Sequence, residues 1–207
     1  ELEARLNAIG DERYHDKHPF HKLLHGGEAT TGQVQAWVLN RYCYQSAIPR
    51  KDAALISKMM DSDLRREWRS RIEDHDGRKP GDGGIERWLK LAKGVGLDRD
   101  YVKSTDGALA ATKFAVEAYV RFVAEHSLLD AVASSLTELF ATDLMTRRLA
   151  AFEQHYTWIK PDTLAYFRGR PPLATRDSEH GLSLVKEHCQ SREEQQRAVD
   201  ALRFKCD

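Results

Sequence analysis

The sequence has little cysteine, little proline and no long apolar run. Its 207 residues include three cysteines, six prolines and 13 glycines. Three scattered cysteines are too few for a disulfide framework or a four-cysteine zinc site. No stretch approaches the roughly 20 apolar residues that span a bilayer, and the first residues lack the basic start and apolar stretch of a signal peptide. We therefore expect a cytoplasmic protein that does not insert into a membrane.

The sequence also lacks an excess of either charge. Lysine plus arginine and aspartate plus glutamate number 32 each, so the formal net charge is zero. This balance argues against a globally basic nucleic-acid binder. There is no glycine-rich phosphate loop, no Gly-x-Ser-x-Gly elbow and no Cys-x-x-Cys pair. The length suits about one domain, so we expect a single domain over residues 1–207 that does not bind nucleic acid.

What is present is helical periodicity. Val34, Trp37, Val38 and Tyr42 recur at the spacing of a helix that buries one face, and Pro49 should stop or kink that helix. Asp61 to Asp63 signals the start of another helix, whereas the glycine-rich segment 77–84 predicts a loop. Further helices are predicted over residues 85–92, 112–140, 144–158, 161–170, 177–188 and 192–206. Since no alternating strand pattern occurs, we predict an all-α domain of seven or more helices.

Several polar residues share faces of these helices. Arg41, Tyr44 and Gln45 stand at i, i+3 and i+4, and a buried arginine there would need an anionic partner. The alternative is a solvated helix face. Arg71 and His75 share a face before the glycine loop, where a histidine suits proton transfer or simply favours the helix C-terminus.

Other candidates lie in the most apolar helices and near the end of the chain. Glu138 stands between two leucines and should be hydrogen-bonded or paired, either in a site or in a structural ion pair. Tyr166 and Arg170 are again four residues apart, and Lys205 is a candidate for the site or for the surface. The inward candidates are mainly cations and neutral hydrogen-bonding groups: Arg41, Arg71, Arg148, Arg170, Lys205, His15 and His75, with several tyrosines. Such a set predicts a small ligand that carries several carboxylates.

The clustered histidines raise the question of a metal. His15, His18, His21 and His25 are close in sequence, and Glu12 with His15 has the Glu-x-x-His spacing of carboxylate di-iron bundles. A second such motif is absent, and a proline interrupts the histidine run. We therefore expect no metal site.

Longer motifs resemble a known family. These segments are His18 to His21, WVLNRYCYQSAIPRKD at residues 37–52, residues 65–68, RIEDHDG at 71–77, residues 83–89 and ASSLTELF at 133–140. They closely resemble the pyrroloquinoline-quinone (PQQ) synthase family, and the similarity extends over residues 2–207. The resemblance implies a compact seven-helix bundle of the haem-oxygenase or TenA-like type, which acts as a homodimer. Its final helix would continue beyond Asp207.

The resemblance also implies a reaction. Family members close a ring and carry out an eight-electron oxidation of a tricarboxylated bicyclic quinone precursor to PQQ. They consume dioxygen, release hydrogen peroxide and use no metal or organic cofactor, PQQ being the product. The position of His75 would supply the general base or acid, and those of Tyr166 and Arg170 would bind dioxygen or peroxide and supply protons. Residues that would line the quinone and its carboxylates are Tyr14, His15, Arg41, Tyr44, Gln45, Arg71, Tyr119, Thr137, Glu138, Arg148 and Lys205.

The chain departs from the family pattern at three places. Met145 stands in the oxygen-binding group where the family often has a histidine. Ala141-Thr142 replaces Ala-Pro, and Pro171 to Thr175 (PPLAT) replaces Leu-Thr-Gln-Ala-Pro.

Three alternatives to an active cofactorless oxidase stay open. One is a relative that binds PQQ or its precursor with little turnover. A second is a metal-dependent oxidase that uses Glu12, His15 and Asp74. A third is a TenA-like thiaminase, which would need a nucleophilic cysteine in the pocket, whereas Cys43 is expected to serve packing.

Overall fold

The computed structural model describes residues 1–207, and all of its regular secondary structure is helical, without a strand, so the predicted all-α class is confirmed. Eleven α-helices are joined by short loops and three 3₁₀ helices. The α-helices are α1 (Leu2–Arg13), α2 (Pro19–His25), α3 (Thr31–Ile56), α4 (Ser62–Asp76), α5 (Gly83–Gly94), α6 (Arg99–Ser104), α7 (Ala110–Glu125), α8 (Leu128–Ser134), α9 (Ala141–His155), α10 (Ala165–His188) and α11 (Arg192–Cys206). The 3₁₀ helices are His15–Lys17, Ser135–Phe140 and Pro161–Leu164.

The expected count of seven helices is wrong, because short helices interrupt the long ones. The segment 112–140, predicted as nearly continuous, divides into α7, α8 and a 3₁₀ helix. His126 adopts an extended backbone after α7, and the side chain of Ser127 then accepts a hydrogen bond from the backbone N–H of Asp130. The extended His126 ends one helix, and the N-cap Ser127 starts the next. The apolar periodicity of this stretch gave no sign of a boundary between helices.

Prolines do not break the two longest helices. α3 continues through Pro49, and α10 continues through Pro171 and Pro172, so the two helices predicted over 161–170 and 177–188 are largely one. A proline in a helix interior removes a backbone hydrogen bond, and tertiary packing around the helix has to offset that loss. In α10 a polar contact lies beside the prolines: Thr142 Oγ1 is 3.4 Å from the Pro171 carbonyl oxygen and 3.0 Å from Thr175 Oγ1.

The turn before α5 depends on glycine. Residues 77–82 form the predicted loop after α4, whose N-cap Asp61 was also predicted and accepts two backbone N–H groups. Gly77 has φ +83°, and a Cβ atom there would lie 2.5 Å from the Asp82 carbonyl oxygen. Only glycine combines this backbone conformation with such a close approach. The turn thereby brings the end of α4, which carries His75, against the start of α5.

The hydrophobic core has two parts. One is built around Trp88, Phe152 and Phe167 and joins α3, α5, α9 and α10. The other is built around Trp68 and Leu202 and joins α1, α4, α8 and α11. Phe140 packs against both parts, so the 3₁₀ helix that ends at this residue lies where they meet. No helix of the chain combines the length and apolar character that a bilayer crossing needs.

Candidate active site

A cavity of about 550 Å³ opens among α3, α4, α7, α9, α10 and α11. Its wall includes twelve of the residues that the sequence singled out. These are Tyr14, His15, Arg41, Tyr44, His75, Tyr119, Thr137, Glu138, Met145, Tyr166, Arg170 and Lys205. The volume is within the range of pockets that enclose a small molecule. Eight separate segments of the chain contribute these side chains, so the cavity is a product of the whole fold.

Three of the predicted residues lie behind this wall. Gln45 is fully buried, and its Oε1 accepts a hydrogen bond of 3.1 Å from the Tyr166 hydroxyl. Arg71 is enclosed by carboxylates, and Arg148 is enclosed by histidines and a tryptophan. Their contacts hold other wall residues in place, so in this structure they support the wall and do not form its surface.

Two arginines are neutralised by carboxylates of the protein. Arg71 lies 3.6–3.7 Å from oxygens of Asp52, Glu138 and Asp177. Arg170 Nη2 lies 2.7 Å from Glu138 and 3.3 Å from Asp177. Burial raises the pKa of Asp177, but the guanidiniums of Arg71, Arg170 and Arg176 together lower it by more, so the carboxyl is ionised. In this structure protein carboxylates therefore already neutralise both arginines, and the buried nitrogens Arg71 Nε and Arg170 Nη1 are left without a hydrogen-bond partner.

Two other cations on the wall have no such partner. The guanidinium carbon of Arg41 lies 4.4 Å from the ring centre of Tyr44, and Lys205 Nζ lies 3.9 Å from the same ring and 4.2 Å from that of Tyr119. Neither cation forms an ion pair with a carboxylate of the chain. Burial, followed by repulsion from Arg41 and Lys51, lowers the pKa of Lys205 to about 7. Because a buried charge without a counter-ion is costly, this side of the cavity favours a negatively charged occupant.

His75 borders the cavity as a neutral base. Its Nδ1 lies 2.9 Å from the Arg71 carbonyl oxygen. A carbonyl oxygen only accepts, so Nδ1 carries the hydrogen and Nε2 keeps its lone pair. Burial, followed by the nearby charge of Arg170, lowers the pKa of His75 to about 4. The ring is therefore neutral near pH 7, and its Nε2 is free to accept a proton.

The three residues expected to form the oxygen-binding group all border the cavity. Tyr166 and Arg170, one turn apart on α10, both border it, and α9 adds Met145. The Tyr166 ring meets Trp88 edge to face at 5.0 Å, and its hydroxyl is held by Gln45. A tyrosine hydroxyl and a guanidinium donate hydrogen bonds, whereas the thioether of Met145 has no proton to transfer.

Of the residues named in the metal and thiol alternatives, His15 borders the cavity, whereas Glu12, Asp74 and Cys43 do not. Glu12 lies on the surface beside Arg13, and Asp74 is 2.6 Å from Arg176. No three histidine, cysteine, aspartate or glutamate side chains come together in a way that suits a metal ion. Cys43 is buried outside the cavity wall, as its expected packing role requires.

Sequence reasoning missed half of the wall. Most of these residues are small or apolar and look like ordinary core in a sequence: Trp37, Ile48, Thr112, Ala115, Val116, Ala118, Ala141 and Phe204. Asn40, Cys206 and Asp207 also border the cavity, and burial raises the pKa of the Cys206 thiol to about 11. His21 was noted only as part of the histidine run, and that run was the signal that could have identified it.

The fold and this site define the class of protein. The sequence model of the TENA/THI-4/PQQC family matches residues 3–207. The chain belongs to this family. In structure it resembles a domain of unknown function with a heme oxygenase-like fold from Shewanella denitrificans. The TM-score is 0.75 at 15% identity, and the match covers 99% of this chain and 84% of the other. The haem-oxygenase-like fold expected from the sequence is thereby confirmed.

Within this family the chain is similar to particular enzymes. It is 56% identical to the pyrroloquinoline-quinone synthase of Granulibacter bethesdensis, over 100% of this chain and 81% of that protein. It is 58% identical to the pyrroloquinoline-quinone synthase of Acidiphilium cryptum, over 100% of this chain and 84% of that protein. Such similarity over the whole chain confirms the family resemblance and shows that the protein is an enzyme.

The neutral, buried state of His75 predicts a dependence of stability on pH. A histidine in an unfolded chain has a pKa near 6.5, but His75 in the folded protein has a pKa of about 4. Between these values the unfolded state binds a proton that the folded state does not. The stabilisation present above pH 6.5 is then lost as the pH falls towards 4, at about 1.4 kcal/mol per pH unit. Urea unfolding between pH 7 and 5 measures the total loss. The pKa values of His15, His21 and His25 are lowered as well, so the share of His75 is the difference between the parent and a variant without it.

The matched variant is His75→Gln, whose amide still donates to the Arg71 carbonyl oxygen. It should lose stability less steeply on acidification than the parent, by about 1 kcal/mol over one pH unit below 6.5. The exposed His188→Gln serves as the control and should keep the parent slope. Equal slopes for His75→Gln and the parent would contradict the neutral buried state of His75.

Proposed function

We propose that the protein catalyses the last step of PQQ formation: ring closure and eight-electron oxidation of a tricarboxylated quinone precursor. In this proposal dioxygen accepts the electrons and leaves as hydrogen peroxide, and no metal or organic cofactor takes part. The similarity to pyrroloquinoline-quinone synthases supports the role in PQQ biosynthesis. The chemistry of the cavity supports the finer assignment.

The observation that carries the proposal is the pair of cations without counter-ions. Arg41 and Lys205 flank one aromatic ring, Tyr44, in a cavity of small-molecule size. A guanidinium holds a carboxylate with two parallel hydrogen bonds, and an ammonium adds a point charge. A quinone with three carboxylates would satisfy both cations and stack its ring system against Tyr44 and Tyr119. Since the carboxylate raises the pKa of the ammonium it contacts, binding would also complete the protonation of Lys205.

Proton transfer is the part of the reaction that the protein itself must supply. Removal of protons from the precursor makes it electron-rich enough to reduce dioxygen directly. His75 is assigned the role of base because its Nε2 is unprotonated at the cavity wall. Each dioxygen that becomes hydrogen peroxide takes two electrons and two protons. Tyr166 and Arg170 are therefore assigned to hold the oxygen species and to deliver hydrogen bonds or protons to it.

A second candidate, binding with little turnover, is favoured by one observation. Met145 borders the same cavity as Tyr166 and Arg170, at a position where the family often has a histidine. Methionine neither donates nor accepts a proton in this chemistry, and Arg170 is already engaged by two carboxylates. In this candidate function the protein would hold the quinone while the oxygen-dependent steps run slowly.

The proposal includes a homodimer acting in the cytoplasm. Leu109, just before α7, and Phe114, on α7, are 64% and 76% exposed, and the same helix forms part of the cavity wall. Large exposed apolar side chains beside a functional site favour coverage by another protein surface. A second copy of this chain is the proposed cover.

The two candidate functions separate when oxygen is withheld and then supplied. Mixed with the precursor without oxygen, the protein should form a reduced quinol, seen in its absorbance spectrum, because the deprotonation steps need no oxidant. Oxygen added afterwards should convert this species to PQQ with release of hydrogen peroxide. A reduced quinol that persists in oxygen would contradict the oxidase and support the second candidate.

His75→Ala is the matched variant for the same experiment. Removal of a general base is expected to slow the deprotonation steps by about 10² to 10⁴. Affinity for PQQ should stay nearly that of the parent, since His75 is not assigned to the carboxylates. Turnover equal to that of the parent would show that His75 is not the base.

Met145→His tests the oxygen-binding group separately. The imidazole would restore a proton donor and acceptor beside Tyr166 and Arg170. We expect it to speed the oxygen-dependent phase by about tenfold or more, a modest part of a general acid's usual effect. The anaerobic phase should not change, which makes that phase the internal control. An oxygen-dependent phase as slow as that of the parent would contradict a limiting role for Met145.

A further inference from the structure

A chain of hydrogen bonds connects Arg148 to His15 on the cavity wall. Arg148 Nη2 lies 3.2 Å from His21 Nδ1, and His21 Nε2 lies 3.1 Å from His15 Nδ1. On the other side of the same guanidinium, Nε donates to His25 Nε2 at 3.3 Å. Neither the family resemblance nor the proposed function above gives His21 a role.

The direction of these hydrogen bonds follows from Arg148, which is the first donor. A guanidinium has only N–H donors, so His21 Nδ1 must accept. A neutral imidazole has one N–H, which in His21 is then on Nε2 and donates to His15 Nδ1. By the same reasoning the one hydrogen of His15 is on Nε2. The geometry thus determines both tautomers once both rings are neutral.

Both rings are neutral near pH 7. Burial, followed by the charge of Arg148, lowers the pKa of His21 to about 3. The same two causes, in the same order, lower the pKa of His15 well below its usual value. The positive charge of Arg148, which orients these hydrogen bonds, therefore also helps to keep the two imidazoles neutral, because an imidazolium beside the guanidinium would be repelled.

Arg148 is held in one orientation at the start of this series of hydrogen bonds. It is 1% exposed and has no carboxylate partner, and its guanidinium carbon lies 5.1 Å from the Trp37 ring centre. With two histidine nitrogens as acceptors and an aromatic ring against it, this guanidinium has little freedom to turn. One hydrogen bond from this guanidinium orients the His21 ring, and a hydrogen bond from His21 orients the His15 ring.

His15 Nε2, the last nitrogen of this series of hydrogen bonds, has no protein partner. His15 borders the cavity, and its Nδ1 is occupied by His21, but no group of the protein accepts a hydrogen bond from its Nε2. His75, which borders the same cavity, has the opposite tautomer, with hydrogen on Nδ1. The two histidines therefore differ in function: one offers a hydrogen and the other a lone pair.

We propose that His21 is a positioning residue that, oriented by Arg148, holds His15 in its Nε2–H tautomer, so that His15 donates a hydrogen bond to a carboxylate or quinone oxygen in the cavity. The tautomer depends only on the protein. Its use towards a quinone acid rests on the function proposed above. The roles are chemically distinct, because a histidine held as a donor cannot serve as the base that His75 supplies.

Nitrogen-15 NMR of the histidine-labelled protein at pH 7.0 tests the tautomer without any turnover. Protonated and unprotonated ring nitrogens have well separated chemical shifts, and His15→Gln identifies the His15 signals by their loss. We expect Nε2 of His15 to be protonated and Nδ1 to be unprotonated. A protonated Nδ1, or a doubly protonated ring, would overturn the proposal in the parent protein alone, whether or not any variant folds.

Two substitutions of His21 then distinguish the effect of its hydrogen bonds from the effect of its size. In His21→Gln the amide oxygen can accept from Arg148 and the amide N–H can donate to His15, so the tautomer should persist. In His21→Leu both contacts are lost, and the His15 shifts should move towards a mixture of tautomers. PQQ titrated into each protein should bind about tenfold more weakly to His21→Leu, the loss expected for one oriented hydrogen bond, and within about twofold of the parent to His21→Gln.

The exposed His188→Gln is the control and should leave both readouts unchanged. Parent tautomer and parent affinity in a folded His21→Leu would overturn the positioning role. If PQQ binds to none of the proteins while the His15 tautomer follows the expected pattern, the proposed function fails and the tautomer assignment stands. The two failures are therefore distinguishable.

Discussion

The placement of positive charge inside an apolar helical shell is the constraint on which the site depends. A cation removed from water must be paired, shared with aromatic rings or met by a ligand. The chain uses all three solutions. Arg71 and Arg170 are paired with Asp52, Glu138 and Asp177, whereas Arg148 has only neutral acceptors and Trp37. Arg41 and Lys205 share Tyr44 and lack a counter-ion, which leaves the cavity ready for an anion.

Burial and, after it, the same charges determine the state of the neighbouring histidines. Arg148 disfavours protonation of His15 and His21, and Arg170 disfavours protonation of His75. Neutral imidazoles have a donor side and an acceptor side, and the hydrogen bond on one nitrogen decides the character of the other. Buried arginine thus supplies more than ligand affinity, because Arg148 orients the donor side of His15 and Arg170 helps to keep His75 unprotonated.

The spacing of residues on single helices predicted much of the site. Arg41 with Tyr44, and Tyr166 with Arg170, share a face, and both pairs border the cavity. Spacing could not show that Gln45 lies behind Tyr166, because the burial of a helix face depends on the neighbours that pack against it. Nor could it show that Arg71 is neutralised, since Asp52 and Asp177 are distant in sequence and only the fold brings them together.

The fold was predictable in class but not in its divisions. Helical periodicity established the all-α class, but it could not reveal that Ser127 would cap a new helix or that α10 would pass through two prolines. Two of the departures from the family pattern meet in space there: Thr142 contacts both Pro171 and Thr175. Two unusual segments that look independent in the sequence therefore pack against each other. This contact lies directly after Arg170 in α10.

The most direct test of the central claim is an experimental structure of the protein with PQQ bound. We predict that its carboxylates meet Arg41 and Lys205, that its ring system lies against Tyr44, and that an oxygen atom accepts from His15 Nε2. Arg71 should keep its contacts with Asp52 and Asp177. A quinone bound outside this cavity, or Arg41 and Lys205 turned away from its carboxylates, would contradict the claim that the two unpaired cations are there to bind a polycarboxylate.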